Sequence, residues 1–188
     1  MNIEPEFDAL YEGIAPGGLR NKDDIMLLIL YMLMTVNQNV KKSMIGKVMQ
    51  EHGIANYFEV MDGVSKLASS GNIEIKEEDG EEILILTEIG EEAVSIVKDD
   101  LPKTVREIAV KDLLKEITIE KNANENTVKI EKEKDGYIVS FFIKDEETEF
   151  MNLKLYVASR NQAEILKKNF LENPEKIYSE ILGAVIIE

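Results

Sequence analysis

The sequence predicts an α+β protein of two domains, and three patterns support that fold class. Apolar residues recur at helical spacing through much of the first hundred residues. Residues 127–158 instead alternate apolar and polar side chains, which is typical of antiparallel strands with one face on a core. Leu101-Pro102 interrupts the helical pattern and marks the boundary between the two domains.

The first domain should begin with three helices. Asn21, Ser43 and Asn56 are each followed by a helical pattern, and each can accept a hydrogen bond at the start of a helix. These helices should end near Val36, His52 and Ser70. Apolar residues cover every face of the first helix, which makes it either central to the core or shared with a partner subunit.

A β-hairpin and a fourth helix should follow. The strands 72–76 and 82–86 flank Asp79-Gly80, a pair that tolerates the positive φ angles of a tight hairpin turn. The fourth helix should run from Thr87 to about Lys98. Three helices followed by a hairpin, the wing, is the order of a winged helix-turn-helix domain. Residues 20–98 are therefore predicted to form one, after a flexible lead-in at 1–19.

The second domain, residues 104–188, should be a small α+β domain with a three-stranded antiparallel sheet. A helix from Thr104 to about Glu120 and a polar turn at 122–126 precede the sheet. The remaining predicted elements are the strands 127–133, 137–144 and 149–158 and the helices 160–172 and 174–183. We expect this domain to serve dimerisation or sensing, which makes a homodimer the expected assembly.

Charge and composition limit the choice of partners. The net charge is −15, and residues 1–100 alone hold 20 acidic against 8 basic side chains. Such a field repels polyanions, so any nucleic-acid binding needs a local basic patch. The longest apolar run, 25–34, is shorter than the roughly 20 residues of a membrane span, and the start of the chain lacks a signal-peptide pattern. We therefore expect a cytoplasmic protein that makes no membrane contact.

The sequence carries no pattern typical of an enzyme. It contains no cysteine and a single histidine, His52, so Cys/His nucleophile pairs and zinc sites of that kind are excluded. It also lacks a glycine-rich phosphate loop, and the acidic turns at 77–82 and 145–149 do not match a calcium-binding loop. We expect no catalysis, no metal and no cofactor.

Several segments carry a family resemblance: Gly18-Leu19-Arg20-Asn21-Lys22-Asp23-Asp24-Ile25, Asn56-Tyr57-Phe58, Leu86-Thr87-Glu88-Ile89-Gly90 and Leu101-Pro102-Lys103-Thr104-Val105-Arg106-Glu107. With them the chain resembles the uncharacterised domain-of-unknown-function family 4364 of Gram-positive bacteria, from residue 18 to residue 188. The resemblance implies a winged-helix first half and a regulator-like role. It implies no catalytic or ligand-binding residue.

If the first domain reads DNA, its third helix should enter the major groove. Base contacts would then come from Asn56, Tyr57, Glu59 and Lys66, and phosphate contacts from Lys41, Lys42 and Lys47. Tyr57 also lies on the apolar stripe of this helix, which makes it a candidate core residue. The wing carries a net charge of −5, the opposite of what phosphate binding requires.

Three functions are compatible with these features. The first is a non-catalytic winged-helix transcriptional regulator that binds double-stranded DNA. The second is a winged-helix interaction module that contacts another protein and no DNA, which the acidic wing favours. The third is a small-molecule sensor, with its ligand against the second sheet near Phe141, Phe142 and Phe150.

Overall fold

The computed structural model describes residues 14–15, 18–97, 100–144 and 148–186. It confirms the mixed α+β class and the three-stranded antiparallel sheet of the second half, and it adds a second such sheet in the first half. Two units make up the chain, and the division between them falls after Leu114. Most of the predicted lead-in at 1–19 lies outside the described residues. No helix of the described ranges is long and apolar enough to cross a membrane.

The elements of the first unit alternate between helices and short strands. In chain order they are α1 (Lys22–Val36), β1 (Val40–Lys41), α2 (Lys42–Glu51), α3 (Tyr57–Ser69), β2 (Ile73–Glu78), β3 (Glu81–Leu86) and α4 (Glu88–Val97). Helix α5 (Lys103–Glu125) follows and contains the division between the units.

Two of the three predicted helix caps are confirmed. The side chain of Asn21 accepts a hydrogen bond from the Asp23 N–H at 3.0 Å, and that of Asn56 accepts one from the Phe58 N–H at 2.9 Å. The Ser43 cap is wrong, because the N-cap of α2 is Lys41, two residues earlier, and it makes no side-chain hydrogen bond. Strand β1 occupies the residues immediately before α2, so the strand pairing sets where this helix begins.

Helix α1 is the central helix of the first unit. Its side chains Ile25, Leu28, Ile29, Met32 and Leu33 are almost fully buried. They are shielded by the elements that pack around α1, which are α3, α4 and β3. This packing explains why apolar residues cover most faces of the helix, since a helix surrounded by other elements needs no polar face.

The first sheet has the order β1-β3-β2, and all its pairs are antiparallel. Asp79 and Gly80 connect β2 to β3 with φ angles of 51° and 80°, so the predicted two-residue turn is confirmed. Strand β1, which pairs Val40 with Leu84 of β3, is not among the predicted elements. Two residues are too short to produce an alternating pattern.

The second unit places three helical segments on one face of its sheet. Its elements are the last part of α5, then β4 (Thr127–Lys132), β5 (Tyr137–Lys144), β6 (Glu149–Val157), α6 (Arg160–Glu172) and α7 (Pro174–Val185). The sheet order is β4-β5-β6. Val139, Phe141 and Met151 form the core with Phe170 of α6, and the ring centroids of Phe141 and Phe170 lie 4.9 Å apart. Ile119 of α5 and Ile177 of α7 pack against the same cluster.

One predicted boundary in this unit is wrong. The polar turn expected at 122–126 is mostly helical, because α5 continues to Glu125. The side chain of Asn122 donates a hydrogen bond to the Leu171 carbonyl at 2.6 Å, and this tertiary contact gives the polar residue a partner inside the helix. The other elements of the unit end within two residues of their predicted limits.

Candidate interaction surface

The candidate surface of the first unit combines the start of α2, the start of α3 and the β2–β3 hairpin. We call it the α3–wing surface and define it by Lys41, Lys42, Tyr57, Phe58, Glu81 and Glu82. Helix α2 contacts both the β2–β3 hairpin and the start of α3. Lys42 in its first turn reaches the hairpin, and Gly46, one turn later, lies against the ring of Tyr57.

The hairpin supplies ion-pair partners to both lysines at the start of α2. Lys42 Nζ lies 2.8 Å from Glu82 Oε2, and Lys41 Nζ lies 3.7 Å from Glu81 Oε1. Partly exposed ion pairs of this kind add little stability. They do place a carboxylate beside each ammonium group, so the local positive charge available to a phosphate is largely cancelled. Lys47 is the third residue predicted to contact a phosphate. Its side chain is exposed, and it too has an interaction partner within the chain.

The exposed middle of α3 is also neutralised. Lys66 Nζ lies 2.9 Å from Asp62 Oδ2, and Lys22 of α1 reaches the same oxygen at 3.4 Å. The hydrogen bond from Lys66 lowers the pKa of Asp62 below its ordinary value, and this outweighs the opposing effect of desolvation. The ionised form of Asp62, which pairs with Lys66, is therefore favoured.

Two aromatic side chains project from the first turn of α3. Phe58 is 77% exposed, and Tyr57 is 42% exposed. Their rings meet edge to face, with centroids 6.0 Å apart. Tyr57 is thus neither a core residue nor fully solvated, because one side of its ring covers Gly46. The pair forms an apolar patch beside the lysines of α2.

Asn56 and Glu59 occupy positions that do not favour base contacts. The Asn56 side chain caps α3 with its amide oxygen. Glu59 was expected on the exposed face of α3, but it is only 8% exposed and its Oε2 atom is buried without a hydrogen-bond partner. Glu59 lies in the first turn of α3, where the helix dipole favours a negative charge.

We predict that replacing Asn56 with alanine lowers the free energy of unfolding by about 1 kcal/mol, because the Phe58 N–H loses its acceptor. Asn56→Asp should retain most of the stability, since a carboxylate caps a helix equally well. Urea denaturation of both variants measures the difference. Equal losses from the two substitutions would contradict the capping role.

The three phenylalanines expected near a ligand in the second unit do not converge. Phe141 is buried in the core, and Phe142 points to the opposite face of the sheet because neighbouring strand residues alternate. Phe150 is 49% exposed near the start of β6. Lys129 Nζ lies 5.5 Å from the ring centroid of Phe142, so this ring already contacts a cation of the same chain.

His52, the single histidine, is the C-cap residue of α2. Its Nε2 atom lies 2.8 Å from Asp112 Oδ2 of α5. The contact joins the end of α2 to the first half of α5, within the first unit. Both side chains are partly exposed, and the pair is separate from the α3–wing surface.

The exposure of Phe58 and the ion pairs of Lys41 and Lys42 were not predicted from the sequence. Phe58 lies outside the apolar stripe of α3, and a large apolar residue on a polar helix face is a signal that could have identified it. The ion pairs of Lys41 and Lys42 join residues 40 positions apart in the chain, so only the register of β1 against β3 reveals them.

The fold and this surface define an α+β chain of two units, each with a three-stranded antiparallel sheet and the first with an aromatic patch beside neutralised lysines. The chain belongs to the family described as a domain of unknown function, DUF4364, whose model matches residues 25–185. The resemblance carried by the sequence motifs is thereby confirmed. No curated protein and no solved structure gives a match to the chain.

Proposed function

We propose that residues 20–98 form a winged helix-turn-helix domain that binds another protein through the α3–wing surface. The order of the elements supports the winged-helix assignment: α1, β1, α2 and α3 precede the β2–β3 hairpin, and β1 pairs with β3. In this proposal α3 corresponds to the recognition helix and the hairpin to the wing. The function is non-catalytic and regulatory.

The observation that carries the choice of a protein partner is the pairing of Lys41 and Lys42 with Glu81 and Glu82. A DNA-binding surface gains affinity when its cations release counterions from phosphates. Here the wing would bring its own carboxylates to the same place, and its net charge is −5. Phosphates would have to displace these carboxylates and approach an acidic hairpin.

The aromatic pair gives the surface an anchor suited to a protein. Exposed aromatic side chains that pack against a partner often carry much of the energy of an interface. Phe58 exposes most of its ring, and the ring of Tyr57 packs against Gly46. The acidic wing then selects a partner whose apolar pocket is flanked by basic residues.

A salt titration with random-sequence duplex DNA tests the exclusion of DNA. We expect the full chain to bind more weakly at low salt than the ordinary non-specific range of about 10⁻⁴ to 10⁻⁶ M. Binding within that range, with an affinity that falls steeply as salt is added, would overturn the proposal and favour a DNA-binding regulator.

A photo-crosslinking experiment tests the partner class in living bacterial cells. A photoreactive phenylalanine analogue at Phe58 should give an adduct that protease digests and nuclease leaves intact. The same analogue at Ser69, exposed at the far end of α3, is the matched control and should give a much weaker adduct. A nuclease-sensitive adduct at Phe58 would contradict the proposal.

A further inference from the structure

The second sheet has one edge strand, β6, that is long and poor in charge, with a register irregularity against β5 beside Phe150. Native edge strands are commonly short or rich in charge, because their free N–H and C=O groups can pair with another chain. Strand β4 follows this rule, since three of its six residues are charged: Lys129, Glu131 and Lys132. Strand β6 spans nine residues and has only Glu149 and Lys154 as charged members. No strand within the described ranges pairs with its outer edge.

Strand β6 also exposes apolar side chains that its own unit leaves uncovered. Phe150 is 49% exposed, Tyr156 is 59% exposed and Leu155 is also exposed. An apolar groove continues from the end of the strand onto α6, lined by Tyr156, Val157, Ala158, Gln162, Ile165 and Leu166. A long edge with this much apolar surface is suited to the addition of an extended strand.

We propose that β6 pairs with β6 of a second copy of this chain, antiparallel about a two-fold axis at Leu153. The two sheets then form one sheet of six strands. This interface lies in the second unit alone and is independent of the surface proposed for the first. When the two-fold axis is perpendicular to the sheet, each face of β6 continues into the same face of the partner's β6. Residues that lie opposite each other must therefore come from the same face of the strand.

The residues of β6 are complementary to themselves in this register. Phe150 lies opposite the partner's Tyr156, which pairs the two exposed aromatic rings on one face. Met151 lies opposite the partner's Leu155 on the other face and covers that exposed side chain. Lys154 lies opposite the partner's Asn152, so no like charges meet.

Neighbouring registers lose this complementarity. An axis at Lys154 would place its ammonium group opposite the same group of the partner, and like charges directly opposite are destabilising. An axis at Asn152 would place Lys154 opposite the partner's Phe150 and Leu155 opposite the partner's Glu149. Within residues 150–156, only the axis at Leu153 joins apolar residues to apolar ones, and it leaves Glu149, beyond the register irregularity of β6, outside this pairing.

A charge-swap series of the full chain, measured by sedimentation velocity, tests the interface. The unchanged chain should sediment as a dimer that dissociates on dilution. Phe150→Glu alone and Tyr156→Lys alone should each raise the dissociation constant by about tenfold or more, because the contact occurs twice in each dimer. The double variant should recover much of the affinity, since the new carboxylate faces the new ammonium group. Glu131→Lys on the β4 edge is the control and should leave the dimer unchanged.

Disulfide formation tests the register, because the natural chain has no cysteine. In the proposed dimer the two copies of residue 150 lie about 20 Å apart along the strands, whereas residue 150 faces residue 156 of the partner. Phe150→Cys alone and Tyr156→Cys alone should therefore stay uncrosslinked under mild oxidation. An equimolar mixture of the two variants should form a disulfide-linked dimer.

Three results would overturn the proposal. The first is a chain that stays monomeric at every concentration, which would leave the edge to an extended peptide. The second is a dimer that neither single charge substitution weakens while circular dichroism shows the fold intact, which would place the interface elsewhere. The third is efficient crosslinking of either cysteine variant with itself, which excludes this register.

Discussion

Replacing Gly90 with alanine should lower the free energy of unfolding of the first unit by about 3 kcal/mol. Gly90 lies in the first turn of α4, and an added Cβ would overlap the backbone carbonyl oxygen of Asn72. That carbonyl accepts a hydrogen bond from the Thr87 N–H at 3.2 Å, so it cannot move aside without breaking the contact that begins α4. The Cβ would also lie 2.8 Å from Leu86 Cδ1.

The same substitution at Gly183 is a matched control, for which we expect the free energy of unfolding to rise instead of fall. Gly183 lies in α7, and no heavy atom outside its own helix neighbourhood lies within 4 Å of the position of an added Cβ. Gly183→Ala should therefore stabilise the chain by roughly 0.5–1 kcal/mol, because alanine loses less backbone freedom in a helix.

Hydrogen exchange followed by mass spectrometry is the appropriate measurement, since it reports the two units separately. Gly90→Ala should speed the exchange of amides in α4 and β2. Gly183→Ala should slow exchange in α7. A Gly90→Ala chain with unchanged protection in α4 would contradict the close packing of this helix on the turn before β2.

The parts of the fold that could be predicted from the sequence depend on local chemistry. The caps at Asn21 and Asn56 bond to a backbone N–H two residues later, and the Asp79-Gly80 turn needs only its own two residues. Such interactions lie within a short window of sequence. They therefore follow from residue type and spacing alone.

The parts that could not be predicted depend on distant residues. Strand β1 exists because Val40 meets Leu84, and α5 extends through Asn122 because Leu171 offers a carbonyl oxygen. The burial of Glu59 likewise follows from tertiary packing rather than from its place on the helical wheel. Charged side chains are expected at the surface by default, so nothing in the local pattern indicates this one.

The candidate surface likewise has one feature that follows from local sequence and one that depends on distant residues. The acidic character of the hairpin is evident from the sequence, because six of its charged residues are acidic and only Lys76 is basic. The cancellation of Lys41 and Lys42 by Glu81 and Glu82 depends on the antiparallel pairing of β1 with β3, which brings residues 40 positions apart into contact. The phosphate contacts predicted for Lys41 and Lys42 stay a prediction, which these ion pairs do not favour.

Reversing the charge of Glu81 and Glu82 should give the chain measurable affinity for duplex DNA. The double variant Glu81→Lys/Glu82→Lys changes the net charge of the wing from −5 to −1 and removes the carboxylates that pair with Lys41 and Lys42. Four ammonium groups would then lie close together at the start of α2 and on β3. We expect affinity for random-sequence duplex to rise by about a hundredfold, with a salt slope near −3.6 if all four contact phosphates.

A matched control separates local charge from total charge. Glu91→Lys/Glu92→Lys on the exposed part of α4 changes the net charge of the chain by the same amount, from −15 to −11. If the arrangement on the α3–wing surface matters, this control should gain far less affinity than the wing variant. Equal gains would show that only the overall field of the protein repels DNA.

The Glu81→Lys/Glu82→Lys variant could keep its fold and still fail to bind DNA. The features that oppose DNA binding would then lie in α3. The remaining features there are the aromatic rings of Tyr57 and Phe58 and the Lys66–Asp62 pair, which present no free cation to the groove. Adding Phe58→Arg to the wing variant would then be the decisive step, because it replaces the most exposed apolar group of α3 with a side chain that binds phosphates and guanine. Gain of binding only in this triple variant would show that the apolar first turn of α3 opposes DNA binding in addition to the acidic wing.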